Sequence, residues 1–217
     1  MAKRPAAPPF SSADHPAMTH LISGGARSGK SRFAEQLALA HPGPVAYVAT
    51  AAVADADFAA RVALHRERRP AHWALCEAER GLAAVLESAA AADTLLLVDC
   101  LGMWLMRFCL DDGLDEADFA REKAALLHAL ATLPGEIVLV SNEIGWGVVP
   151  LGRLSRRFVD ELGRLNQDIA ALCERVTLVA CGLPLVLKAP PEGAASPAFL
   201  AAASGCTAPE TAAPGGV

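Results

Sequence analysis

The 217-residue sequence contains no apolar run close to the roughly 20 residues that a bilayer-crossing helix needs. Its longest, Val176 to Leu187, is interrupted by Gly182 and Pro184, so no membrane insertion is expected. An apolar signal helix is missing too, because Lys3 and Arg4 are followed by Pro5, Pro8 and Pro9. The cysteines (Cys76, Cys100, Cys109, Cys173, Cys181 and Cys206) include no C-x-x-C pair and no zinc-type Cys/His spacing. They read as reduced core residues of a cytoplasmic protein. Positive charge is in deficit, with 19 Lys+Arg against 24 Asp+Glu and a net charge of −5. That balance argues against a nucleic-acid partner and against a polybasic membrane anchor.

What remains is a chain of single-domain size, 53% apolar. Residues 1–17, rich in Ala, Pro and Ser, read as a flexible N-terminal arm. Residues 189–217 are mostly Ala, Pro and Gly, carry charge only at Glu192 and Glu210, and read as a disordered tail. The ordered unit is expected over 18–188. Within it, β-rich runs at 20–23, 45–50, 94–99, 137–141 and 176–181 alternate with helical patterns at 31–40, 55–69, 115–132 and 152–173. Alternation of this kind predicts βαβ units and an α/β fold with a mainly parallel sheet, whose ligands bind at the carboxyl ends of the strands. Apolar stretches such as Leu95-Leu-Leu-Val98 suit strands covered on both faces.

One motif carries chemistry directly. Gly24-Gly25-Ala26-Arg27-Ser28-Gly29-Lys30-Ser31 has the form G-x-x-x-x-G-K-[ST], after a strand and before a helix. Glycines let successive N–H groups turn toward anionic oxygens, and the helix adds its positive N-terminal end. Lys30 can reach the β- and γ-phosphates, and the Ser31 hydroxyl can hold Mg²⁺. A P-loop NTPase-like three-layer fold follows. Asp99, closing Leu95-Leu-Leu-Val-Asp, has the Walker B pattern; it reads either as a second Mg²⁺-handling oxygen or as a solvated strand end.

Residues 55–69 carry Arg61, His65, Arg66, Arg68 and Arg69. At helical spacing Phe58, Val62 and His65 share one face, while Arg61, His65 and Arg68 share the next. His65 thus falls on a seam between apolar and cationic stripes. Periodicity leaves open a packed boundary histidine, a phosphate contact, or a nucleophile that neighbouring cations keep neutral.

Several further runs stand beside the glycine loop: Tyr47-Val-Ala-Thr-Ala51, Arg61 to Pro70 with Trp73 and Glu77, Leu97-Val-Asp-Cys-Leu101, Val140-Ser-Asn-Glu-Ile-Gly-Trp-Gly-Val-Val-Pro150 and Gly163 to Gln167. Together with Gly24 to Ser31 they resemble the bifunctional adenosylcobinamide kinase / adenosylcobinamide-phosphate guanylyltransferase family of cobalamin biosynthesis. The resemblance implies phosphorylation of adenosylcobinamide by ATP or GTP. Transfer of GMP from GTP follows, through a histidine-bound intermediate, to give adenosylcobinamide-GDP and pyrophosphate. By the same match His65 is the catalytic histidine. Gly24 to Ser31, Ala49, Thr50, Ala51, Arg66, Glu67, Arg68, Arg69, Glu77 and Asp99 line the nucleotide site, and Ser31 and Asp99 attend the metal. The resemblance also implies a homo-oligomer, a trimer in the family pattern, and leaves Asn142, Glu143 and Trp146 either near the corrinoid or at a subunit contact. Gly102 stands where the family often has Thr. Two other readings of the motif remain: a single-activity P-loop kinase, in which His65 is structural, and a non-catalytic nucleotide-dependent binding module.

Overall fold

The computed structural model describes residues 18–51, 69–110, 113–148 and 150–189. The expected arm, most of the charged helix at 55–69 (His65, Arg66, Glu67 and Arg68 included), and the tail from residue 190 lie outside the described residues.

Strands form where the apolar runs predict them: β1 (Met18–Ser23), β2 (Val45–Ala49), β4 (Leu95–Asp99), β7 (Glu136–Val140) and β8 (Arg175–Ala180). With β3 (Ala74–Glu77) and β9 (Leu183–Lys188) they build a seven-stranded sheet in the order β3-β2-β4-β7-β1-β8-β9. All neighbours are parallel except the β8–β9 hairpin. A small antiparallel pair, β5 (Cys109–Leu110) and β6 (Gly113–Leu114), stands apart. The described helices are α1 (Lys30–Ala40), α2 (Leu82–Ala89), α3 (Leu101–Met106), α4 (Glu116–Thr132) and α5 (Arg153–Leu172).

Alternation of side chains along each strand feeds two cores, one per face. Leu21, Leu96, Val98, Ile137 and Leu139 join Trp104, Phe108, Phe119, Leu126, Leu162, Leu165 and Ile169 beneath α2 to α5. Ile22, Leu95, Leu97, Val138 and Val140 face Phe33, Ala34 and Leu37 of α1, with Trp73. On α5 the buried residues Leu162, Leu165, Asn166 and Ile169 keep the i, i+3, i+4, i+7 spacing of a one-sided helix. Helix α4 starts at Asp115, whose side chain accepts from the Asp118 amide at 3.3 Å. The result is the three-layer α/β arrangement of P-loop NTPases, with both faces of a mainly parallel sheet covered.

Periodicity did not reveal β3, α2, α3, the β5–β6 pair or β9, all of them eight residues or shorter. The apolar run 176–187 holds the expected strand at 176–181 and, beyond Gly182, the unexpected β9. Cys181 and Gly182 take φ of 54° and 80°, and the chain reverses there. This turn also corrects one expectation about cysteine: Cys100 and Cys173 are buried, but Cys181 is exposed. Among the described residues no helix is long and apolar enough to cross a membrane.

Candidate nucleotide site

The carboxyl ends of the parallel strands meet along one edge, and strand register alone orders the residues there. Glu77, Ala49, Asp99, Val140 and Ile22 lie in one row across β3, β2, β4, β7 and β1. At roughly 4.8 Å per strand, Asp99 stands about 10 Å from the β1 line and Glu77 about 19 Å.

The glycine loop leaves β1 directly into α1, and its glycines are required by contact. A Cβ on Gly24 would meet the Val179 carbonyl oxygen at 2.4 Å and Ser28 Oγ at 2.6 Å. Gly29 caps α1 with φ of 97°, where L side chains are strained, and a Cβ there would lie 3.2 Å from Gly182 Cα. The loop is tied from three sides. The Ser28 amide donates to the Gly25 carbonyl at 3.2 Å, the Gly182 amide to the Ser28 carbonyl at 2.8 Å, and the Glu143 amide to the Gly24 carbonyl at 3.1 Å. Ala26 and Arg27 form its exposed tip, Arg27 with φ of 55°. Ser28 Oγ is buried inside the cradle without a hydrogen-bond partner among the described residues. Lys30 is buried, and its Nζ donates to the Gly25 carbonyl at 3.1 Å. Burial lowers the Lys30 ammonium from its ordinary value, while Cys100 and Asp99 act in the opposite direction. Ser31 sits in the first helical turn, half-buried.

Asp99 accepts a hydrogen bond from the Tyr47 hydroxyl at 3.1 Å. Burial, followed by the Asp99 charge, raises the Tyr47 phenol well above its ordinary value, so it remains a donor. The Arg69 guanidinium stacks on the same ring, 3.5 Å from its centroid, with Nε buried and unpartnered among the described residues. Thr50 is fully buried and donates to the Cys100 carbonyl at 2.8 Å, while its own carbonyl accepts from Arg107 Nε at 3.0 Å. The Ala49 carbonyl accepts from the Ala78 amide, and Ala51 is half-buried at the margin. Burial pushes the Cys100 thiol up to about 11, so it stays protonated beside Lys30.

The structure therefore brings together Gly24 to Ser31, Asp99 and, through Tyr47, Arg69. Glu77 is in the same row but exposed at the sheet edge. His65, Arg66, Glu67 and Arg68 lie outside the described residues. The donor set of Ser31 hydroxyl and Asp99 carboxylate is of hard oxygens. It fits Mg²⁺, which takes few protein ligands and completes its octahedron with water and phosphate.

Sequence reasoning missed two features. Tyr47, the sole tyrosine, entered only as the first residue of the family-like run Tyr47 to Ala51 and was given no role; its position two residues before Ala49, on a strand paired with β4, is the signal. The second is a polar knot under the glycine loop. Ser23 Oγ donates to Glu143 Oε1 at 2.9 Å, Ser141 Oγ to Asn166 Oδ1 at 2.5 Å, and Asn166 Nδ2 to the Asn142 carbonyl at 3.1 Å. Asn142 and Glu143 thus serve the base of the loop after β7. Trp146 is 74% exposed at its tip.

The family described as cobinamide kinase / cobinamide phosphate guanyltransferase matches residues 20–187. The bifunctional adenosylcobalamin biosynthesis protein CobP of Pseudomonas aeruginosa is 55% identical over 174 residues, covering 80% of this chain and 99% of that protein. CobU of Salmonella typhimurium, with the same description, is 38% identical over 182 residues, covering 79% and 100%. A solved structure from Pyrococcus horikoshii OT3 superposes with a TM-score of 0.50 over 83% of this chain and 90% of that one. At 7% identity, that likeness shows the fold alone.

Proposed function

The chain belongs to the cobinamide kinase / cobinamide phosphate guanyltransferase family, and from that premise we infer that it is a bifunctional enzyme of adenosylcobalamin biosynthesis. It phosphorylates adenosylcobinamide and then guanylylates the phosphate. In the first reaction the substrate hydroxyl oxygen attacks the γ-phosphorus of ATP or GTP. The bond to the β-γ bridging oxygen breaks, nucleoside diphosphate leaves, and the hydroxyl proton passes to solvent. In the second, the His65 imidazole attacks the α-phosphorus of GTP and expels pyrophosphate. A phosphate oxygen of the adenosylcobinamide phosphate then displaces the imidazole, giving adenosylcobinamide-GDP. An imidazole serves well as nucleophile and as leaving group, so one difficult substitution becomes two easier ones.

The observation that carries this reading is the glycine cradle with Lys30, on the same sheet edge as Asp99. A glycine-rich backbone at a helix N-terminus and a buried ammonium suit the β- and γ-phosphates. Chain connectivity supports His65 in the same role: it precedes Arg69 by four residues, which limits their Cα separation to about 14 Å. Arg69 is stacked on the ring whose hydroxyl holds Asp99. Arg66, Glu67 and Arg68 belong to the same segment. Glu77, at the far end of the row, is assigned to the nucleoside end, with Ala49, Thr50 and Ala51 between. When bound, Mg²⁺ supplies charge neutralisation of the phosphates, with Ser31 and Asp99 as its protein oxygens.

In this reading residues 18–188 form the catalytic domain, the flanking segments 1–17 and 189–217 are appendages to it, and the enzyme is cytoplasmic. The exposed Leu183, Leu185, Val186 and Leu187 on edge strand β9 support self-association, a trimer in the family pattern. Sedimentation of the full chain checks it.

GTP labelled at the α-phosphate tests the central step. Label on His65 that is acid-labile and base-stable is expected, as is a His65→Ala protein that keeps cobinamide phosphorylation and loses guanylyl transfer. An unaltered chain that phosphorylates cobinamide but takes no label and transfers no guanylyl group leaves the single-activity kinase, and transfer retained in His65→Ala removes His65 from the mechanism.

A further inference from the structure

The loop between β7 and α5 combines a rigid base with an apolar surface that nothing described covers. Its base is fixed to the glycine cradle by the Glu143 amide and the Ser23–Glu143 bond. Its far end is held by Arg156 Nη1, which donates to the carbonyls of Pro150 and Leu151. Between these anchors Ile144 is 39% exposed, Trp146 74%, Val148 97% and Leu151 96%. Four large apolar side chains at the ligand-binding edge of a parallel sheet, in one short loop, mark an interaction site rather than scattered surface residues. The loop continues into a cavity of about 620 Å³ between the first turns of α5 and β6, lined by Arg153, Leu154, Arg157 and Leu114 among others. Arg157 is engaged by Glu116 and Glu161. Arg153 is exposed and bonds none of the described residues.

We propose that this loop and the mouth of the adjoining cavity form the docking platform for the corrin macrocycle, with Trp146 and Leu151 against its flat face and Arg153 donating to its rim. The proposal rests on the functional reading above and names the second substrate's place in that same site. Three points select this occupant. The corrin ring of cobinamide presents a broad, largely apolar face edged by neutral carboxamides, and carboxamide oxygens accept from a guanidinium fork without requiring a net charge. The platform is rooted on the phosphate cradle, so a ring seated there leaves its hydroxyl-bearing arm free to enter the reaction zone. Among the described residues, the exposed apolar side chains of β9 lie on an extended edge strand paired only with β8, a shape suited to a polypeptide rather than a macrocycle.

The test uses the full-length chain with cobinamide and GTP. Trp146→Ser and Leu151→Ser are each expected to raise the KM for cobinamide about tenfold, equivalent to 1.4 kcal/mol, and Arg153→Ala several-fold. The KM for GTP and α-phosphate labelling of His65 without cobinamide should stay unchanged. Cobinamide should quench the fluorescence of the unaltered protein, and Trp146→Phe, which keeps an apolar ring, should remove most of that quenching while keeping most of the affinity. An active enzyme whose cobinamide KM and quenching are indifferent to these substitutions overturns the platform. So does a Trp146→Ser protein whose sedimentation changes while its cobinamide KM does not, since a second copy then covers the loop. Absence of both cobinamide phosphorylation and His65 label in the unaltered chain would instead overturn the functional reading.

Discussion

Two loops leave neighbouring parallel strands at the same edge of the sheet and do opposite things. The loop after β1 turns inward: Gly24 has no room for a methyl group, Lys30 is buried, and three backbone amides tie it down. The loop after β7 turns outward, secured at its ends and bare in the middle, with Val148 and Leu151 almost wholly exposed. The first is specified by what it excludes, the second by what it displays. Small rigid phosphates demand fixed dipoles at fixed positions, whereas a large flat partner needs area.

The largest effect that would break this contrast is expected at Gly24. In Gly24→Ala the new methyl meets a backbone carbonyl that cannot swing away, so GTP binding by titration calorimetry should weaken by about 100-fold or more. Stability should fall by about 1–3 kcal/mol. A variant that binds GTP normally would show that the inward loop is far more pliable than its contacts indicate.

Acid should weaken the inward side next. His20, on the strand feeding that loop, has its pKa lowered to about 3 by burial and then by Arg175, and its ring nitrogen bonds Thr177 Oγ1 at 2.8 Å. Folded, it stays neutral down to that value; unfolded, it takes a proton near 6.5. Between those values the unfolded state binds more protons, so stability is present above pH 6.5 and lost as pH falls toward 3. At pH 4.5 the loss amounts to about 2–3 kcal/mol. Urea melts at pH 7 and 4.5 should show it, and His20→Gln should flatten the dependence.

Tyr47→Phe removes one hydrogen bond from Asp99 and leaves the ring under Arg69. A stability cost of about 1 kcal/mol is expected. Both turnover rates should fall by roughly an order of magnitude as the carboxylate loses its fixed orientation. Unchanged rates would remove Tyr47 from the site's framework.

The smallest effect sharpens the contrast. Trp146→Ser and Val148→Ser should each change folding stability by less than about 0.5 kcal/mol, since neither side chain is packed. A larger drop in thermal melts would mean that the outward loop is structural.

How much of this was legible beforehand differs between the same two regions. The glycine loop was readable because its chemistry is local: consecutive residue types dictate backbone angles, and the flanking strand and helix confirm them. Strands β1, β4 and β7 announced themselves by apolar runs that burial on both faces requires. The pairing of Tyr47 with Asp99 was not readable, since it depends on the register of strands fifty residues apart. The Ser23–Glu143–Asn166–Ser141 knot is likewise assembled from three separate elements. Short elements such as β3 and α3 span too few residues for periodicity to register. The β8–β9 reversal was hidden because Cys181, rather than a second glycine, takes a left-handed angle beside Gly182.

Gly102 gives the loop after β7 one more dependency. A Cβ at this position would lie 2.7 Å from Nδ2 of Asn142 and 3.8 Å from Leu162. A lineage that places threonine here must first let the Asn142 amide tip aside, and one that enlarges residue 142 forfeits the option of a hydroxyl at 102. The two sites are therefore expected to drift as a pair across descendants of this gene, each mutation acceptable or harmful according to the state of the other.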